Sequence, residues 1–282
     1  MSVGFLLMLG VTACYTISSL SDKYAAAKVK LTPNEFTFLM CSSMSVMLLF
    51  TLPFQEIRFD LSLYSFAGVL LTAVCKLMEF KMCTAVLKKI SAFELKAWLG
   101  VTLFLSYFTD IIMGQAISAA KLICLCLTAA GLVLIVHSEK KERIDYKSIV
   151  LPLILYLGAK YGYGLVIKSF SPHASSIMLL LPALAVVSLI TLPSVKLSAY
   201  KEKHGTGYII LARIPNTIGM IMENTVIGIS LASYSLIQPL ILVSLFFIGL
   251  IRREYASKLN IIGGIICMIG AVGFQAAGIV IK

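Results

Sequence analysis

The chain has 282 residues, of which 59% are hydrophobic and only 13% are charged, and its mean hydropathy is +0.96. A soluble domain is about half apolar and about a quarter charged, so this composition excludes a soluble globular protein and indicates a chain surrounded largely by lipid. The net charge of +11 comes from basic residues clustered between apolar runs, which favours cytoplasmic loops beside anionic lipid over nucleic-acid binding.

Long apolar runs follow one another along the chain, and each is long enough to cross about 30 Å of hydrocarbon. They predict ten transmembrane helices, at residues 3–21, 33–54, 62–81, 91–112, 116–137, 148–168, 173–195, 207–227, 231–250 and 259–281. The first run has no basic segment before it and no convincing cleavage site after it, so we expect it to remain as a membrane helix. The connections near Gly114 and Ser230 are predicted to be tight turns.

The sequence repeats itself at a spacing of about 140 residues. Thr32-Pro33 opens predicted helix 2 and Thr51-Leu52-Pro53 closes it, while Ser171-Pro172 and Thr191-Leu192-Pro193 bound predicted helix 7 in the same way. The spacing predicts two five-helix repeats, residues 1–140 and 141–282. Because five is odd, the second repeat enters the membrane from the opposite side. The expected fold is therefore an all-α membrane protein with ten transmembrane helices as two inverted five-helix repeats.

The basic residues are distributed unequally between the two sets of loops, which predicts the orientation. Fifteen lie in the loops after helices 1, 3, 5, 7 and 9: Lys23, Lys28, Lys30, Lys88, Lys89, Lys140, Lys141, Arg143, Lys147, Lys196, Lys201, Lys203, Arg252, Arg253 and Lys258. Four lie on the other side: Arg58, Lys121, Lys168 and Lys282. We therefore expect these odd-numbered loops in the cytoplasm and both termini outside. The expected location is the plasma (inner) membrane of a bacterium.

Loose patterns of small residues recur in the two halves. They are Ala85-Val86-Leu87, Ser91-Ala92, Gly114 and Gly131-Leu132-Val133-Leu134, then Ala232-Ser233, Gln238-Pro239-Leu240, Arg253-Glu254, Gly263-Gly264 and Gly270. With ten helices in two halves, nearly the whole chain resembles the drug/metabolite transporter superfamily, in particular its EamA-type members. The resemblance implies a substrate cavity between the halves, lined by helices 1, 3, 4, 6, 8 and 9. It also implies substrates such as amino acids, nucleotide sugars or other small metabolites.

The chain departs from that family in two respects. Cys14-Tyr15-Thr16 stands where an aromatic residue followed by glycine is usual. Members of the family usually keep both termini in the cytoplasm, whereas the charge distribution here predicts that both lie outside.

Lys160 lies near the middle of predicted helix 6, within the glycine-rich segment 158–164. A charge at the bilayer centre costs at least a few kcal/mol, so it needs a partner or a wet cavity. We interpret Lys160 as a cation that binds an anionic group of the substrate, with Tyr161 or Tyr163 beside it. The alternative is a lysine that snorkels or pairs with a carboxylate for structural reasons.

Arg213 is a second candidate substrate-binding cation, and it lies in the first half of predicted helix 8. Asn216 and Thr217 follow on the same face, and Pro215 frees a backbone carbonyl one turn earlier. The pattern indicates either a bent, polar cavity wall or an interfacial arginine beside a proline kink. In the first case Lys160 and Arg213 are expected to hold an acidic group together.

Glu79 and Glu223 occupy nearly equivalent positions in the two repeats. A membrane glutamate can pair with a substrate amine or carry a proton, which makes protons the candidate coupling ion. Asn224 beside Glu223, and Gln238 of predicted helix 9, complete the expected substrate-binding set. The alternative for Glu79 is an ion pair with Lys76, three residues earlier, near the interface and without a transport role.

These features predict a secondary transporter that moves a small zwitterionic or anionic polar metabolite, such as an amino acid, sugar phosphate or nucleotide sugar, by alternating access. The expected partners are this substrate and the lipid bilayer, with no nucleic acid. We expect no catalysis, cofactor or metal, because His137, His173 and His204 lack ligand spacing and Asp110 is expected to be solvated. The alternatives are a membrane-embedded lipid-modifying enzyme and a non-transporting scaffold.

Overall fold

In the computed structural model, all ten predicted segments contain a helix. The structure describes residues 3–24, 29, 31–89, 95, 98–138, 149–195, 200, 206–251 and 258–280. The longer helices are α1 (Val3–Tyr24), α2 (Pro33–Thr51), α3 (Leu63–Leu87), α4 (Val101–Ile112), α5 (Ala119–Ser138), α6 (Val150–Phe170), α7 (Ser176–Thr191), α8 (Arg213–Ile229), α9 (Leu231–Ile251) and α10 (Lys258–Val280). A short helix, Thr206–Leu211, precedes α8. The described part of the chain holds no β-strand, apart from an isolated bridge between Phe59 and Ala174.

Six helices are long and apolar enough to cross a membrane within the described residues: α1, α2, α3, α6, α7 and α9. Apolar stretches of 10–17 residues lie in α4, α5 and α10. The 17-residue α8 carries Arg213 and Glu223 and does not reach the same length. The prediction of a helical, multi-pass membrane protein is therefore confirmed. Of the ten predicted spans, six contain a described helix that is both long enough and apolar enough to cross the hydrocarbon core.

Local sequence explains how several helices begin and end. The Thr32 side chain accepts a hydrogen bond from the Glu35 N–H at 3.2 Å, and the Glu35 carboxylate accepts one from the Thr32 N–H at 2.8 Å. This capping box and the first-turn proline start α2 at the predicted residue. At their other ends α2 and α7 pass into 3₁₀ turns, Leu52–Phe54 and Leu192–Ser194, each with a proline at its second residue.

A side chain from the connection between α7 and α8 packs against the start of α2. The Tyr200 hydroxyl donates a hydrogen bond to the Glu35 carbonyl oxygen at 2.7 Å. Burial, and then the nearby Glu35 carboxylate, raise the pKa of this hydroxyl above its ordinary value. Tyr200 therefore keeps its proton, and remains a hydrogen-bond donor, at neutral pH.

The two connections expected to be tight turns are tight. Gly114 follows α4 with a φ of +99°, a backbone conformation that side chains other than glycine rarely adopt. At the other, Ser230 alone separates the end of α8 from the start of α9.

The helices pack in pairs that join the two halves of the sequence: α1 with α8, α2 with α7, α3 with α6, α4 with α9 and α5 with α10. In the first pair Gly4 faces Ile229 and Gly219 faces Tyr15, so α1 and α8 run antiparallel.

At the α5–α10 crossing the two helix backbones approach each other closely. A Cβ on Gly131 would lie 2.5 Å from the backbone nitrogen of Cys267 and 2.6 Å from the carbonyl oxygen of Gly263. Gly131 of α5 therefore faces Cys267 of α10, and Thr128, three residues before Gly131, faces Gly270, three residues after Cys267. The numbering falls along one helix as it rises along the other, so α5 and α10 are antiparallel too. Small residues allow the two backbones to approach this closely in lipid, where dispersion contacts replace the hydrophobic effect between helices.

α9 is the most enclosed of the six long helices. In an apolar stretch of 18 residues, 67% of the residues are buried in α9, against 39–44% in the other five helices. It packs against α1, α4, α6, α8 and α10. Most of the buried side chains form one cluster that includes residues from α1, α2, α3, α6, α7, α8 and α9. The core therefore lies between the two halves of the chain rather than within either one.

Several residues used in the sequence predictions lie outside the described part of the chain. They are Lys28, Lys30, Ser91, Ala92, Lys140, Lys141, Arg143, Lys147, Lys196, Lys201, Lys203, His204, Arg252, Arg253, Glu254, Lys282 and the side chain of Lys23. They include most of the loop charges from which the orientation was predicted, so the orientation stays a prediction.

Candidate functional site

Four charged side chains meet inside the bundle. Lys76 and Glu79 lie on α3, Lys160 on α6 and Glu223 on α8, and their residues are at most 7% exposed. The Lys160 ammonium lies 3.3 Å from a Glu79 oxygen and 3.1 Å from a Glu223 oxygen, while Lys76 Nζ lies 2.8 Å from the other Glu79 oxygen. We call these four residues the central cluster.

The central cluster carries two positive and two negative formal charges, so they balance. Its pairing offsets much of the cost of taking ions out of water, which is several kcal/mol for each isolated ion. Removing one member would leave an uncompensated charge in a low-dielectric interior, which typically costs about 3–5 kcal/mol. An arrangement of this kind contributes little net stability for its desolvation cost, and ionisable groups inside membrane helices are rare, so the central cluster is the leading candidate for a functional site.

Tyrosines surround the central cluster and connect it to further helices. The Tyr15 hydroxyl of α1 donates a hydrogen bond to Glu223 Oε2 at 2.5 Å. The Tyr163 hydroxyl donates to Asn224 Oδ1 at 2.6 Å, and the Tyr234 hydroxyl of α9 donates to the Lys160 carbonyl oxygen at 2.9 Å. Helices α1, α3, α6, α8 and α9 therefore all contribute to one polar network.

The rings of the same tyrosines lie close to both ammonium groups. Lys160 Nζ is 5.6, 5.9 and 5.5 Å from the ring centroids of Tyr15, Tyr163 and Tyr234. Lys76 Nζ is 3.6 Å from the Tyr163 centroid. Ring faces attract cations within about 6 Å, so the tyrosines reinforce the two carboxylates at the Lys160 ammonium.

A cavity of about 60 Å³ extends from the central cluster towards the end of the bundle where α1 ends and α2 begins. Its lining includes Lys76, Glu79 and Lys160 at one end and Ser18, Ser19 and Asp22 at the other. Asn216 and Gln238, both predicted as binding residues, line it as well. Apolar side chains, among them Phe36 and Met220, form the rest of the lining. A cavity of this size with polar groups in its lining has room for a few waters.

Arg213 lies towards the same end of the bundle but outside the central cluster. It is fully buried, and its guanidinium donates a hydrogen bond to Asp22 Oδ1 at 2.7 Å. Further donations reach the hydroxyls of Ser18 and Ser21, at 3.3 and 3.4 Å. The structure therefore pairs Arg213 with Asp22, near the end of α1, and Lys160 with Glu79 and Glu223. The two cations share no carboxylate here, and their joint binding of an acidic substrate group stays a prediction.

The opposite end of the bundle contains another buried carboxylate, Asp110 at the end of α4. It is fully buried and accepts hydrogen bonds from the Ser230 hydroxyl at 2.8 Å and from the backbone N–H groups of Leu231 and Ala232 at 3.2 and 2.9 Å. The Lys168 ammonium, near the end of α6, donates a further hydrogen bond to Asp110 Oδ1 at 2.5 Å. The expectation that Asp110 is solvated was wrong, because Asp110 caps the first turn of α9 and joins three helices.

Eight of the nine predicted site residues thus separate into three groups. Glu79, Lys160, Tyr163, Glu223 and Asn224 come together at the central cluster. Asn216 and Gln238 line the adjoining cavity, and Arg213 pairs with Asp22 at the end of α1.

Tyr161 lies apart from the central cluster. It is only partly buried, and its hydroxyl forms a hydrogen bond with Thr109 of α4. Successive residues of a helix point about 100° apart, so Tyr161 and Lys160 cannot both face the same neighbour.

Sequence reasoning missed Tyr15, Tyr234 and Asp22 as members of these networks. Tyr15 lies in the middle of the first apolar run, where a hydroxyl needs a partner, and that was the signal that could have found it. Tyr234 and Asp22 lie near helix ends, where a polar residue is usually solvated, so their positions in the sequence carry no comparable signal.

Comparison with known proteins finds solved structures of similar fold but assigns the chain to no family. No protein-family model matches the sequence, and no curated protein matches it. Among 24 matching chains of solved structures, one described as "Crystal structure of protein" has a TM-score of 0.70 and 16% sequence identity. The match covers 98% of this chain and 97% of that chain, so the two share their fold over essentially their full lengths.

Proposed function

We propose that the protein is a secondary transporter that moves a small zwitterionic or anionic polar metabolite across a bacterial plasma membrane by alternating access, as the resemblance to EamA-type transporters implies. The observation that carries the proposal is the central cluster, buried at the inner end of a cavity that is partly lined by polar side chains. Ionisable side chains inside membrane helices are rare, and they mark substrate and ion pathways.

The chemistry of the central cluster suits a substrate with polar groups of its own. A metabolite that enters a membrane protein loses its hydration, so the protein must supply replacement partners. Glu79 and Glu223 can accept hydrogen bonds from an amine, and the ammonium groups of Lys76 and Lys160 can donate to a carboxylate or phosphate. Protons are the proposed coupling ion, with Glu79 or Glu223 as the carrier.

The packing pairs support ten membrane crossings in two inverted halves. If α1–α5 correspond to α6–α10, the pairs α2–α7, α4–α9 and α5–α10 each join equivalent helices. Under the same correspondence α1 becomes α6 and α8 becomes α3, so the pair α1–α8 is equivalent to the pair α6–α3. A two-fold axis in the membrane plane predicts this set of pairs and their antiparallel directions. In this proposal α4, α5, α8 and α10 cross the membrane with the other six.

The difference between the two ends of the bundle supports alternating access. The cavity extends towards the Asp22 end, whereas Asp110, Lys168 and Ser230 join α4, α6 and α9 at the other end. A cavity of about 60 Å³ is also smaller than the roughly 300–1,000 Å³ of ligand pockets. Binding a metabolite therefore requires the two halves to part, which is the motion that alternating access uses.

The experiment that tests the proposal is counterflow in proteoliposomes. Vesicles containing the purified protein are loaded with one metabolite from a panel of amino acids, sugar phosphates and nucleotide sugars, and uptake of its labelled form is followed. We expect at least one metabolite to be exchanged. Flux should fall at least tenfold in Lys160→Gln, Glu79→Gln and Glu223→Gln, and it should persist in Glu56→Gln, whose side chain is 78% exposed.

Two outcomes would overturn the proposal. Absence of exchange for every metabolite, with a folded protein in the vesicles, would favour the scaffold or the lipid-modifying enzyme; release of a lipid head group would identify the enzyme. Exchange that proceeds equally in all four variants would show transport by a route that does not use the central cluster.

A further inference from the structure

The ammonium group of Lys160 occupies a position built for a cation. Two carboxylates, from Glu79 and Glu223, lie at 3.3 and 3.1 Å, and the rings of three tyrosines lie within 5.9 Å. Both features favour a positive charge and disfavour an anion, because an anion would meet carboxylates and the negative faces of aromatic rings. Any group that replaces the Lys160 ammonium there has to be cationic.

Lys160 is also able to leave this position. Its ammonium is attached to the backbone through a flexible four-carbon stem. The side chain already borders the cavity that extends towards Asp22. Lys76 is held differently, since it bonds to Glu79 from the same helix at a spacing of three residues and lies against the Tyr163 ring. Withdrawal of Lys160 would leave Glu223 without a cationic partner while Glu79 retains Lys76.

We propose that Lys160 is a resident substitute for the substrate's ammonium group, and that the substrate is a zwitterion with one primary ammonium and one carboxylate. The substrate ammonium takes the position between Glu79 and Glu223, and the displaced Lys160 pairs with the substrate carboxylate. This inference rests on the proposed function and specifies the substrate class of the same site.

Charge balance selects a zwitterion over other amines. The central cluster and the Asp22–Arg213 pair are each neutral, so a zwitterion leaves the buried charge unchanged. A substrate with an ammonium alone would leave the displaced Lys160 without an anion, and one with a carboxylate alone would leave Glu223 without a cation. Each of these leaves an unpaired charge in a low-dielectric interior, which is strongly unfavourable.

Hydrogen bonding selects a primary ammonium over a quaternary one. The two carboxylate oxygens lie at hydrogen-bond distance from Lys160 Nζ, so the position is shaped for N–H donors. A trimethylammonium group has no N–H and a larger radius, so it cannot reproduce either bond. Trimethylated analogues therefore serve as negative probes that keep the positive charge and the alkyl chain length but lack the N–H donors.

The inference is tested by chemical rescue of a variant that lacks the lysine. Lys160→Ala removes four atoms that n-propylammonium would replace, so purified Lys160→Ala is titrated with n-propylammonium chloride and its melting temperature is followed. The matched control is Lys160→Ala/Glu223→Gln, in which the remaining charges balance and Glu79 keeps Lys76. Potassium chloride, propan-1-ol and propyltrimethylammonium chloride serve as control additives.

We expect n-propylammonium to raise the melting temperature of Lys160→Ala, with a half-saturating concentration at least tenfold lower than in the double variant or the wild type. The control additives should not reproduce this rise. A wild-type-like response in folded Lys160→Ala, or an equal response to propan-1-ol, would overturn the inference. If Lys160→Ala does not fold, Lys160→Leu retains most of the stem, and methylammonium replaces its two missing terminal atoms.

Counterflow separates this inference from the proposed transport function. Rescue by n-propylammonium without exchange of any metabolite would support the ammonium position and refute transport. Exchange of an amino acid, combined with no rescue, would support transport and refute the role of Lys160. For an exchanged amino acid, loss of exchange with both its N-acetyl and its ester analogues is expected, and persistence with either analogue would refute a zwitterionic substrate.

Discussion

The substitution Asp110→Asn tests whether one carboxylate holds together the end of the bundle opposite the cavity. Asp110 Oδ1 accepts from Lys168 and Leu231, and Oδ2 accepts from Ser230 and Ala232. An asparagine keeps one acceptor oxygen and presents an NH₂ group to the other two donors. The substitution therefore leaves buried donors without an acceptor and removes the negative charge at the start of α9.

The size of the effect follows from these contacts. Each buried donor left unsatisfied costs about 1–3 kcal/mol, and loss of the charge at a helix N-terminus adds about 0.5–2 kcal/mol. Because asparagine retains part of the bonding and the site can relax, we expect Asp110→Asn to lower the free energy of unfolding by about 3–5 kcal/mol. This is among the larger effects that a single polar substitution produces.

The assay is equilibrium unfolding of the purified protein in mixed micelles with increasing denaturing detergent, followed by circular dichroism. Asp60→Asn is the matched control, because the Asp60 side chain is 54% exposed and its contact with His173 is 3.5 Å long. That control should change stability by less than about 0.5 kcal/mol.

A double-mutant cycle isolates the ionic part of the effect. Lys168→Met added to Asp110→Asn should cost less than Lys168→Met alone, because the partner charge is already gone. If Asp110→Asn is no more destabilising than Asp60→Asn, or if the two substitutions at Asp110 and Lys168 are additive, the proposed role of the carboxylate is wrong.

Further predictions concern the helix crossing, the cavity and the end of α1. Gly131→Leu should destabilise the protein severely in thermal unfolding, because its side chain would meet the α10 backbone, whereas Gly158→Ala, with open space around it, should be tolerated; equal melting temperatures would contradict the α5–α10 crossing. In variants that keep one cysteine each, Cys83, which lines the cavity, should react with a water-soluble methanethiosulfonate at least tenfold faster than the fully buried Cys267; equal rates would argue against a hydrated cavity. Arg213→Met should lower the free energy of unfolding by about 1.5–3 kcal/mol, since it removes a charged hydrogen-bond donor from Asp22, whose side chain is 19% exposed; a change below about 0.5 kcal/mol in detergent-induced unfolding would show that the ion pair is dispensable.

Periodic and local features were accessible from the sequence. The apolar runs located all ten helices, and the threonine and proline signals marked the ends of α2 and α7. The Lys76–Glu79 pair was foreseen as well, because a spacing of three residues places both side chains on one face of a helix. The depth of that pair was not foreseen, since it is buried in the core rather than near an interface.

Contacts between distant segments were not accessible in the same way. Nothing in the local sequence distinguishes Arg213, which found a partner 191 residues away, from Lys160, which found one 63 residues away. Tyr161 and Tyr163 looked equivalent in one glycine-rich segment, yet only Tyr163 faces Asn224, because the α3–α6 and α6–α8 contacts set the rotation of α6. Asp110 looked like an ordinary residue at a helix end until α9 was packed beside it.

The amino-acid sequence alone determined that the chain belongs in a membrane, which segments contain its helices, and which side chains are too polar to face lipid, because these properties follow from transfer free energies and local hydrogen bonding. Only the tertiary structure decided which of those polar side chains pair with one another. In lipid the helices are positioned by close packing at small residues such as Gly131, and the rotation of each helix then selects which charge meets which partner.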